Sequence, residues 1–274
     1  RSVRIAVVES KQDVWVKRMP SAEEKPVDHQ FYARDDKGLG TLHYRGTLKQ
    51  TADSVFLRLY ADDKLIDVQR QKVGADKKYA LSANLQAGLI VYRTEFGIKR
   101  GGAETILEKA NDLVCGDVFV IQGQSNAEAW TDQRVIHPFR SPWLRSFGTP
   151  STNKDRARDV VWGNALSFNG GPNHHHYQIG YWGVELGKTL IETHKIPICI
   201  INGAQGGTRI DQHQRNEADP TDFTTIYGRL LWRLQQAKLT HGVRAVLWHQ
   251  GENDQGESGA TGAFGWGNYQ DYFI

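Results

Sequence analysis

The apolar residues in the second half of the chain form short continuous runs, and amphipathic stretches separate them. Residues 118–121, 198–201 and 243–248 are rich in β-branched and aromatic side chains and have the length of strands buried on both faces. Residues 179–194 and 225–239 carry apolar side chains at helical spacing. Strands that alternate with helices predict an α/β domain with a parallel sheet.

The first half of the chain has a different pattern. Residues 54–60 alternate with a period of two, and after a polar turn at 61–64 the pattern returns over 65–70, which predicts a β-hairpin. Further runs indicate more strands, at 3–8, 78–84 and 89–96. We therefore predict a β-rich, sandwich-like accessory domain over residues 1–110 and an α/β domain over 111–274. The accessory domain either binds carbohydrate or buttresses its neighbour, and we favour buttressing because no aromatic platform is evident.

Composition excludes several classes of function. A formal net charge of +3 with scattered basic residues argues against a nucleic-acid partner. No apolar stretch is long enough to span a bilayer. The chain opens at Arg1 without an initiator Met or a signal-peptide core, which is typical of a mature or trimmed product. Cys115 and Cys199 fall in or beside predicted core strands, and we predict buried free thiols.

Each buried run ends in a polar turn that contains glycine: residues 123–126 read Gly-Gln-Ser-Asn, 203–208 read Gly-Ala-Gln-Gly-Gly-Thr and 250–254 read Gln-Gly-Glu-Asn-Asp. The carboxyl ends of parallel strands meet at one edge of a sheet, so these turns are expected to converge. Ser125 stands at the tip of the first turn, where a hydroxyl is presented to a substrate. Taken alone, Ser125 would more simply be a helix cap.

Together, these three turns resemble the ordered sequence blocks of the SGNH (GDSL-like) hydrolases, and most closely those of the sialate O-acetylesterase-like carbohydrate esterases. The resemblance covers about residues 112–254. It implies an SGNH-type, flavodoxin-like fold, in which a parallel sheet lies between helices in three α/β/α layers. The first third of the chain resembles, more weakly, the β-rich region that precedes the esterase domain in some of these enzymes.

The resemblance also implies the roles of individual residues. Ser125 is the expected nucleophile, and its own N–H is the first donor to the oxyanion. A glycine of the 206–207 pair, with Gly206 taken first, and the Asn253 side chain are the further donors. Substrate binding or support of the turns is expected for the remaining polar positions: Gln124, Asn126, Gln250 and Glu252. The mechanism needs neither a metal nor an organic cofactor.

The catalytic base is missing from the pattern. The family supplies it from a late Asp-x-x-His block, but no Asp in this chain has a histidine three residues later, and the last histidine is His249. We therefore expect a C-terminally truncated domain whose Asp and His lie on a missing segment or a second chain. A non-catalytic relative is the alternative. His249 is interpreted as a packed or supporting residue rather than the base.

Residues 130–172 are predicted to be a long irregular segment with three tryptophans, Trp130, Trp143 and Trp162. Stacking on sugars and filling the core are equally good readings of these rings. The histidines at 174–176 point in different directions if the backbone is regular, so a polar loop is favoured over a metal site.

The sequence therefore predicts a serine-dependent O-acetylesterase that acts on an acetylated carbohydrate, either sialic acid or a plant or microbial polysaccharide. An extracellular or periplasmic location follows from the resemblance. A carbohydrate-binding or scaffold protein without turnover is the main alternative. A lipase or thioesterase of the same superfamily is a third, and a preference for long acyl chains would indicate it.

Overall fold

The structure is a computed structural model that describes Trp15, Arg18, residues 20–129, 136–168 and 175–254, Tyr269 and Tyr272. The strand predicted at 3–8 lies outside the described residues. No helix in the described part of the chain is long and apolar enough to cross a membrane.

Most strands of the N-terminal part are antiparallel, and the exception is the short first strand, which pairs parallel with residues 114–116. A short first strand, β1 (Phe31–Ala33), precedes a two-stranded ribbon of β2 (Leu39–Thr47) and β5 (Lys78–Gln86). An antiparallel sheet has the order β4-β3-β6-β7, formed by β3 (Ser54–Ala61), β4 (Lys64–Lys72), β6 (Tyr92–Arg100) and β7 (Ala103–Gly123). The predicted hairpin is confirmed as β3–β4. Its turn residues Asp62 and Asp63 both have positive φ, as a two-residue hairpin turn requires.

The ribbon packs on this sheet through a shared apolar core. Leu42 and Tyr44 of β2 are buried together with Leu57 of β3 and Phe96 of β6. The Tyr44 ring stacks on Phe96 with centroids 4.9 Å apart, and its hydroxyl lies 2.9 Å from Thr94 Oγ1. The buried tyrosine therefore keeps a hydrogen bond while it fills the core.

Strand β7 joins the two halves of the molecule. It is 21 residues long, pairs antiparallel with β6 along its first half, and then enters a second sheet without interruption. The predicted boundary at 110/111 falls inside this strand, so the two sheets share one continuous backbone. The division into two domains stays a prediction.

The second sheet carries the α/β pattern. Its strand order is β9-β8-β10-β7-β11, formed with β7 by β8 (Leu144–Phe147), β9 (Trp162–Asn164), β10 (Ile198–Asn202) and β11 (Val243–His249). Its helices are α1 (Ser125–Glu128), α2 (Tyr181–His194) and α3 (Ile226–Gln236). Strands β7, β8, β10 and β11 are parallel, but β9 is antiparallel. The sheet is therefore mixed, and the prediction of a wholly parallel sheet is wrong at β9.

Successive side chains of β10 point to opposite faces of this sheet, and a helix packs on each face. Ile198 and Ile200 belong to the core on the α2 side, with Val184 and Ile191. Cys199 and Ile201 belong to the core on the α3 side, with Leu230 and Leu234. This is a three-layer arrangement consistent with the predicted SGNH-type fold.

Three sequence-based expectations can be judged here. The segment 130–172 is not wholly irregular, because β8 and β9 lie within it and bury Leu144 and Phe147. Strand β11 is not fully buried: Val246 is 56% exposed, and the only strand that β11 pairs with in the described part of the chain is β7. The prediction of buried free thiols is confirmed, since Cys115 and Cys199 are both fully buried and unpaired.

A glycine in β7 sets how closely this strand approaches the chain before β10. A Cβ atom on Gly116 would lie 1.8 Å from the Pro197 carbonyl oxygen, so Gly116→Ala must displace backbone. We expect a loss of about 1–3 kcal/mol in the free energy of unfolding, measured by urea denaturation. Gly74→Ala is the matched control, because a Cβ there meets only the Asp76 side chain, at 3.3 Å. Equal stabilities of the two variants would contradict this account.

Candidate active site

The three glycine-containing turns lie side by side because β10, β7 and β11 are adjacent parallel strands. Backbone hydrogen bonds continue past the strand ends. The Gly203 N–H donates to Ile121 O at 2.9 Å, and the Gln205 N–H donates to Gly123 O at 3.0 Å. The Gln124 N–H donates to His249 O at 3.0 Å. The first turn is therefore attached to both of the others by main-chain bonds.

Gly123 makes this close approach possible. Its φ is +137°, and a Cβ atom would lie 1.9 Å from the His249 carbonyl oxygen. Any side chain at this position would push β11 away from β7. The turn before Ser125 can therefore form only with glycine.

Ser125 begins the single turn of helix α1 and is partly exposed. The first N–H groups of a helix have no partner within the helix, so the Ser125 N–H is geometrically suited to donate to a ligand. The Ser125 side chain lies on an open pocket of about 640 Å³. The pocket is lined by residues of β11, α1 and α2: Ser125, Asn126, Ala129, Trp182, Leu247, Trp248 and His249.

Gln124 connects the first turn to the third through its side chain. It is only 2% exposed, and its Oε1 lies 3.3 Å from the Gly251 N–H nitrogen and 3.2 Å from both the Asn253 N–H nitrogen and Gln250 Nε2. The amide oxygen therefore gathers donors from one short segment. This geometry gives Gln124 a structural role in holding the third turn.

Asn253 belongs to the third turn, and its side chain faces the second turn. Its Nδ2 is 3.4 Å from Thr208 O, a long contact that leaves the amide close to the second turn. The Gln250 Nε2 donates to the same carbonyl at 3.0 Å. The fully buried Asp254 receives the Ile210 N–H at 3.3 Å, which fixes the chain after the second turn.

Glu128 is a buried carboxyl group beside Ser125 that the sequence reading missed. A Cβ atom built on Gly206 would lie 2.8 Å from Glu128 Oε2 and 3.7 Å from Ser125 Cβ, so the three residues are in close proximity. Glu128 is 7% exposed. Burial raises its pKa to about 7, and the Gly206 N–H directed at the carboxyl group opposes only part of that rise. The available signal was an acidic residue among small and aromatic neighbours one turn after Ser125.

A polar network crosses the rim of the pocket from α1 to β11. Asn126 Nδ2 donates to Glu252 Oε1, and His249 Nε2 lies 3.1 Å from the same oxygen. Partial burial works to raise the pKa of Glu252, but the Asn126 hydrogen bond and the neighbouring His249 hold it below its ordinary value. Among the described residues, His249 is the histidine that lines the pocket with Ser125.

The aromatic residues divide between pocket and core. Trp182 lines the pocket and donates its Nε1–H to Asn126 O at 2.9 Å, and Trp248 also lines the pocket. Trp162, in contrast, is buried against Phe147 with ring centroids 4.9 Å apart, which favours the core-filling reading for that residue. Trp130 lies outside the described residues.

Of the three consecutive histidines, 175 and 176 are described. His176 Nε2 lies 2.8 Å from Asp159 Oδ2, so this ring is held by a carboxylate. No group of three or more potential metal ligands occurs among the described residues.

The geometry agrees with comparisons to known proteins. The model of the carbohydrate esterase, sialic acid-specific acetylesterase family matches residues 115–265, more than half of the chain. The chain belongs to this family. The match includes all three turns, and the resemblance to sialate O-acetylesterase-like SGNH hydrolases is thereby confirmed. The family consists of carboxylic ester hydrolases.

Two solved structures are similar to the chain. One is a carbohydrate acetylesterase from Xanthomonas citri, with 19% identity, a TM-score of 0.49, and 93% of this chain and 55% of that chain covered. The other is a protein from Arabidopsis thaliana, with 18% identity, a TM-score of 0.37, and 51% of this chain and 58% of that chain covered. The chain thus spans less than two thirds of either structure. No curated protein matches it.

The buried Glu128 of this esterase-family chain predicts a pH-dependent stability. The folded state holds the Glu128 proton up to about pH 7, whereas an unfolded glutamic acid releases it near 4.5. The unfolded state is therefore favoured increasingly as pH rises from about 4.5 through 7, by up to about 3 kcal/mol. Glu128→Gln should remove this loss, which urea unfolding between pH 5 and pH 8 measures.

The matched control for that experiment is Glu192→Gln, an exposed carboxylate on α2. It should follow the wild-type pH dependence of stability. If Glu128→Gln lost stability with pH as steeply as the wild type, the Glu128 carboxyl group would not be the buried proton-binding group.

Proposed function

We propose that this chain carries the nucleophile and oxyanion donors of a serine-dependent O-acetylesterase that removes acetyl groups from a carbohydrate. The observation that carries the proposal is the position of Ser125. It lies at the tip of a glycine-permitted turn, next to Gly206, on an open pocket. Membership of a carbohydrate esterase family supports the same chemistry.

In this mechanism the Ser125 Oγ attacks the acetyl carbonyl carbon while a base accepts the hydroxyl proton. The tetrahedral intermediate collapses, the bond to the sugar oxygen breaks, and the sugar leaves as an alcohol after receiving the proton. Water then hydrolyses the acetyl-Ser125 ester and releases acetate. No step requires a metal or an organic cofactor.

The developing oxyanion is stabilised by donors from all three turns. The Ser125 N–H is free of helical partners, a glycine of the 206–207 pair supplies a second N–H, and Asn253 supplies its amide. Gly206 is the nearer glycine to Ser125, and Glu128 behind it holds its peptide in place. An uncharged amide at 253 donates without adding a titrating group.

The base is the part of the mechanism that this chain's sequence does not supply by motif, since it contains no Asp-x-x-His. We propose that the Asp and His are provided by a segment or chain outside this sequence. His249, paired with Glu252 on the pocket rim, then acts as a supporting residue. The variant His249→Gln distinguishes a supporting residue from the general base. Loss of a general base lowers the rate by roughly 10²–10⁴-fold, and a smaller loss is expected if His249 only supports the pocket rim.

The substrate proposed is an O-acetylated carbohydrate, either a sialic acid or a plant or microbial polysaccharide. Trp182 and Trp248 provide flat apolar surfaces on the pocket walls, and such rings suit the faces of sugars. Membership of an acetylesterase family supports an acetyl group over a long acyl chain. An extracellular or periplasmic location suits such a substrate.

Ser125→Ala tests the nucleophile. Removal of the hydroxyl should lower hydrolysis of acetylated carbohydrate and of a chromogenic acetate ester by at least about 10³-fold, because no covalent intermediate can form. Binding of the carbohydrate, measured by calorimetry, should persist. Ser82→Ala, in an exposed position of β5, is the control and should keep full activity.

Two outcomes would overturn this assignment. Residual activity of Ser125→Ala near the wild-type level would remove Ser125 from the mechanism. If wild-type protein, tested together with the segment or chain that supplies the Asp and His, bound the carbohydrate but never hydrolysed it, the non-catalytic binding protein would instead be favoured.

Asn253→Ala tests the oxyanion donor of the third turn. The loss of one donor should lower kcat by roughly 10²–10³-fold with little change in KM, since the bond forms in the transition state. Asn84→Ala on the exposed face of β5 serves as the control. A change confined to KM would show that Asn253 binds substrate rather than the oxyanion.

A further inference from the structure

A small cavity lies behind the candidate active site, and its polar wall is formed by arginines. Its volume is about 30 Å³, and its lining includes Arg229 and Arg233 of α3, Thr149, and Gln205 of the second turn. Glu128 lies on another part of the wall. The cavity therefore touches the two segments that hold Ser125 and Gly206, on the side occupied by α3.

Arg233 is buried without a neutralising carboxylate. It is 2% exposed, and its two terminal nitrogens donate to carbonyl oxygens, Nη1 to Asn202 O at 2.8 Å and Nη2 to Phe147 O at 2.7 Å. Its Nε is buried and has no hydrogen-bond partner among the described residues. An unsatisfied N–H of a charged group is costly in such a position.

Arg229 is less buried than Arg233 but also lacks a carboxylate partner among the described residues. It is partly buried and donates to Thr224 O at 3.0 Å and to Gln205 Oε1 at 2.6 Å, both uncharged acceptors. No carboxylate in the described ranges forms an ion pair with Arg229 or Arg233. Burial lowers the pKa of both guanidinium groups, that of Arg233 to about 10; the Cys199 thiol opposes part of the Arg233 shift, and no carboxylate does.

Glu128 does not supply the missing negative charge. Burial holds its carboxyl group protonated up to about pH 7, and neither arginine contributes to its pKa. Two positive charges therefore share a wall of the cavity without a permanent counterion. Buried charges are normally paired, so an exchangeable anion is the expected partner.

From this arrangement we infer that the cavity between Arg229 and Arg233 is a binding site for a single small inorganic anion of chloride size. The volume accommodates one or two water-sized atoms and excludes a phosphate or an organic acid. The arginine N–H groups supply the donors, because the Thr149 hydroxyl already donates to Asp159 Oδ2 at 3.0 Å. The bound anion would tie α3 to the loop that carries Gly206.

The experiment compares sodium chloride with sodium gluconate at equal ionic strength. With chloride at ten times its dissociation constant, the thermal unfolding midpoint of the wild type should rise by roughly 3–6 °C above that in gluconate, which is too large for the cavity. The chloride NMR line should broaden in the presence of the protein, because bound ions exchange with free ones. Both effects should be lost in Arg229→Met, which keeps the length of the side chain and removes its charge.

Arg215→Met is the matched control, because Arg215 is exposed and pairs with Glu217 at 3.5 Å. It should keep the chloride-dependent midpoint and linewidth. The inference fails if chloride and gluconate act alike on the wild type, as they would with a water in the cavity. It also fails if Arg215→Met loses the effect as fully as Arg229→Met.

The measurements are independent of the proposed esterase. They use the folded protein without substrate, and they can be repeated in the Ser125→Ala background, where chloride binding should be unchanged. Failure of the catalytic assignment would therefore leave the anion site standing, and failure of the anion site would leave the catalytic assignment intact.

Discussion

The continuous hydrogen-bonded ladder of β7 is the constraint on which the rest of the molecule depends. One strand of 21 residues pairs with β6 at its start, with β1 in the middle, and with β10 and β11 at its end. Because the backbone of a buried strand must satisfy its polar groups, each of these neighbours is held in a defined register. The end of β7 therefore brings its terminal turn beside the turns of both flanking strands.

In the candidate site, side-chain contacts add to the backbone hydrogen bonds that hold the three turns together. Gly123 permits the close passage of His249 O, and the Gln124 side chain then collects donors from the third turn. Glu128 performs the corresponding task toward the second turn through Gly206. Ser125 lies between these two anchors, and its hydroxyl has no hydrogen-bond partner within the described part of the chain, so it is available on the pocket. Pre-organisation of this kind is what acyl transfer requires.

The sequence predicts those features of the molecule that arise from local chemistry. The β-branched runs at 118–121 and 198–201 correspond to buried strands, and the period of the helical stretches corresponds to α2 and α3. The short strands β8 and β9 were not predicted, because strands of four and three residues among prolines and glycines have no readable period. The exposure of β11 was also missed, since Val246 looks apolar in sequence whether or not anything covers it.

Within the candidate site, too, the sequence reveals only the residues whose local pattern is recognisable. Ser125, Gly206 and Asn253 could be named as candidates because they stand in turns whose order along the chain matches a family pattern. Glu128, Arg229 and Arg233 belong to helices, where a charged residue normally indicates a solvent-exposed face. Only the three-dimensional structure shows that these three side chains converge.

The second turn is supported by two different kinds of buried side chain, a carboxyl group and two arginines. Burial raises the pKa of Glu128 to about 7, so below neutral pH this carboxyl group faces the Gly206 N–H without a full negative charge. A carboxylate that was always ionised would oppose the negative charge of the proposed tetrahedral intermediate. Beside the same loop, Arg229 and Arg233 add positive charge, and their bonds to Gln205 and Asn202 hold the second turn. The loop that carries Gly206 is thus held by a carboxyl group of raised pKa and by two arginines, through hydrogen bonds rather than ion pairs.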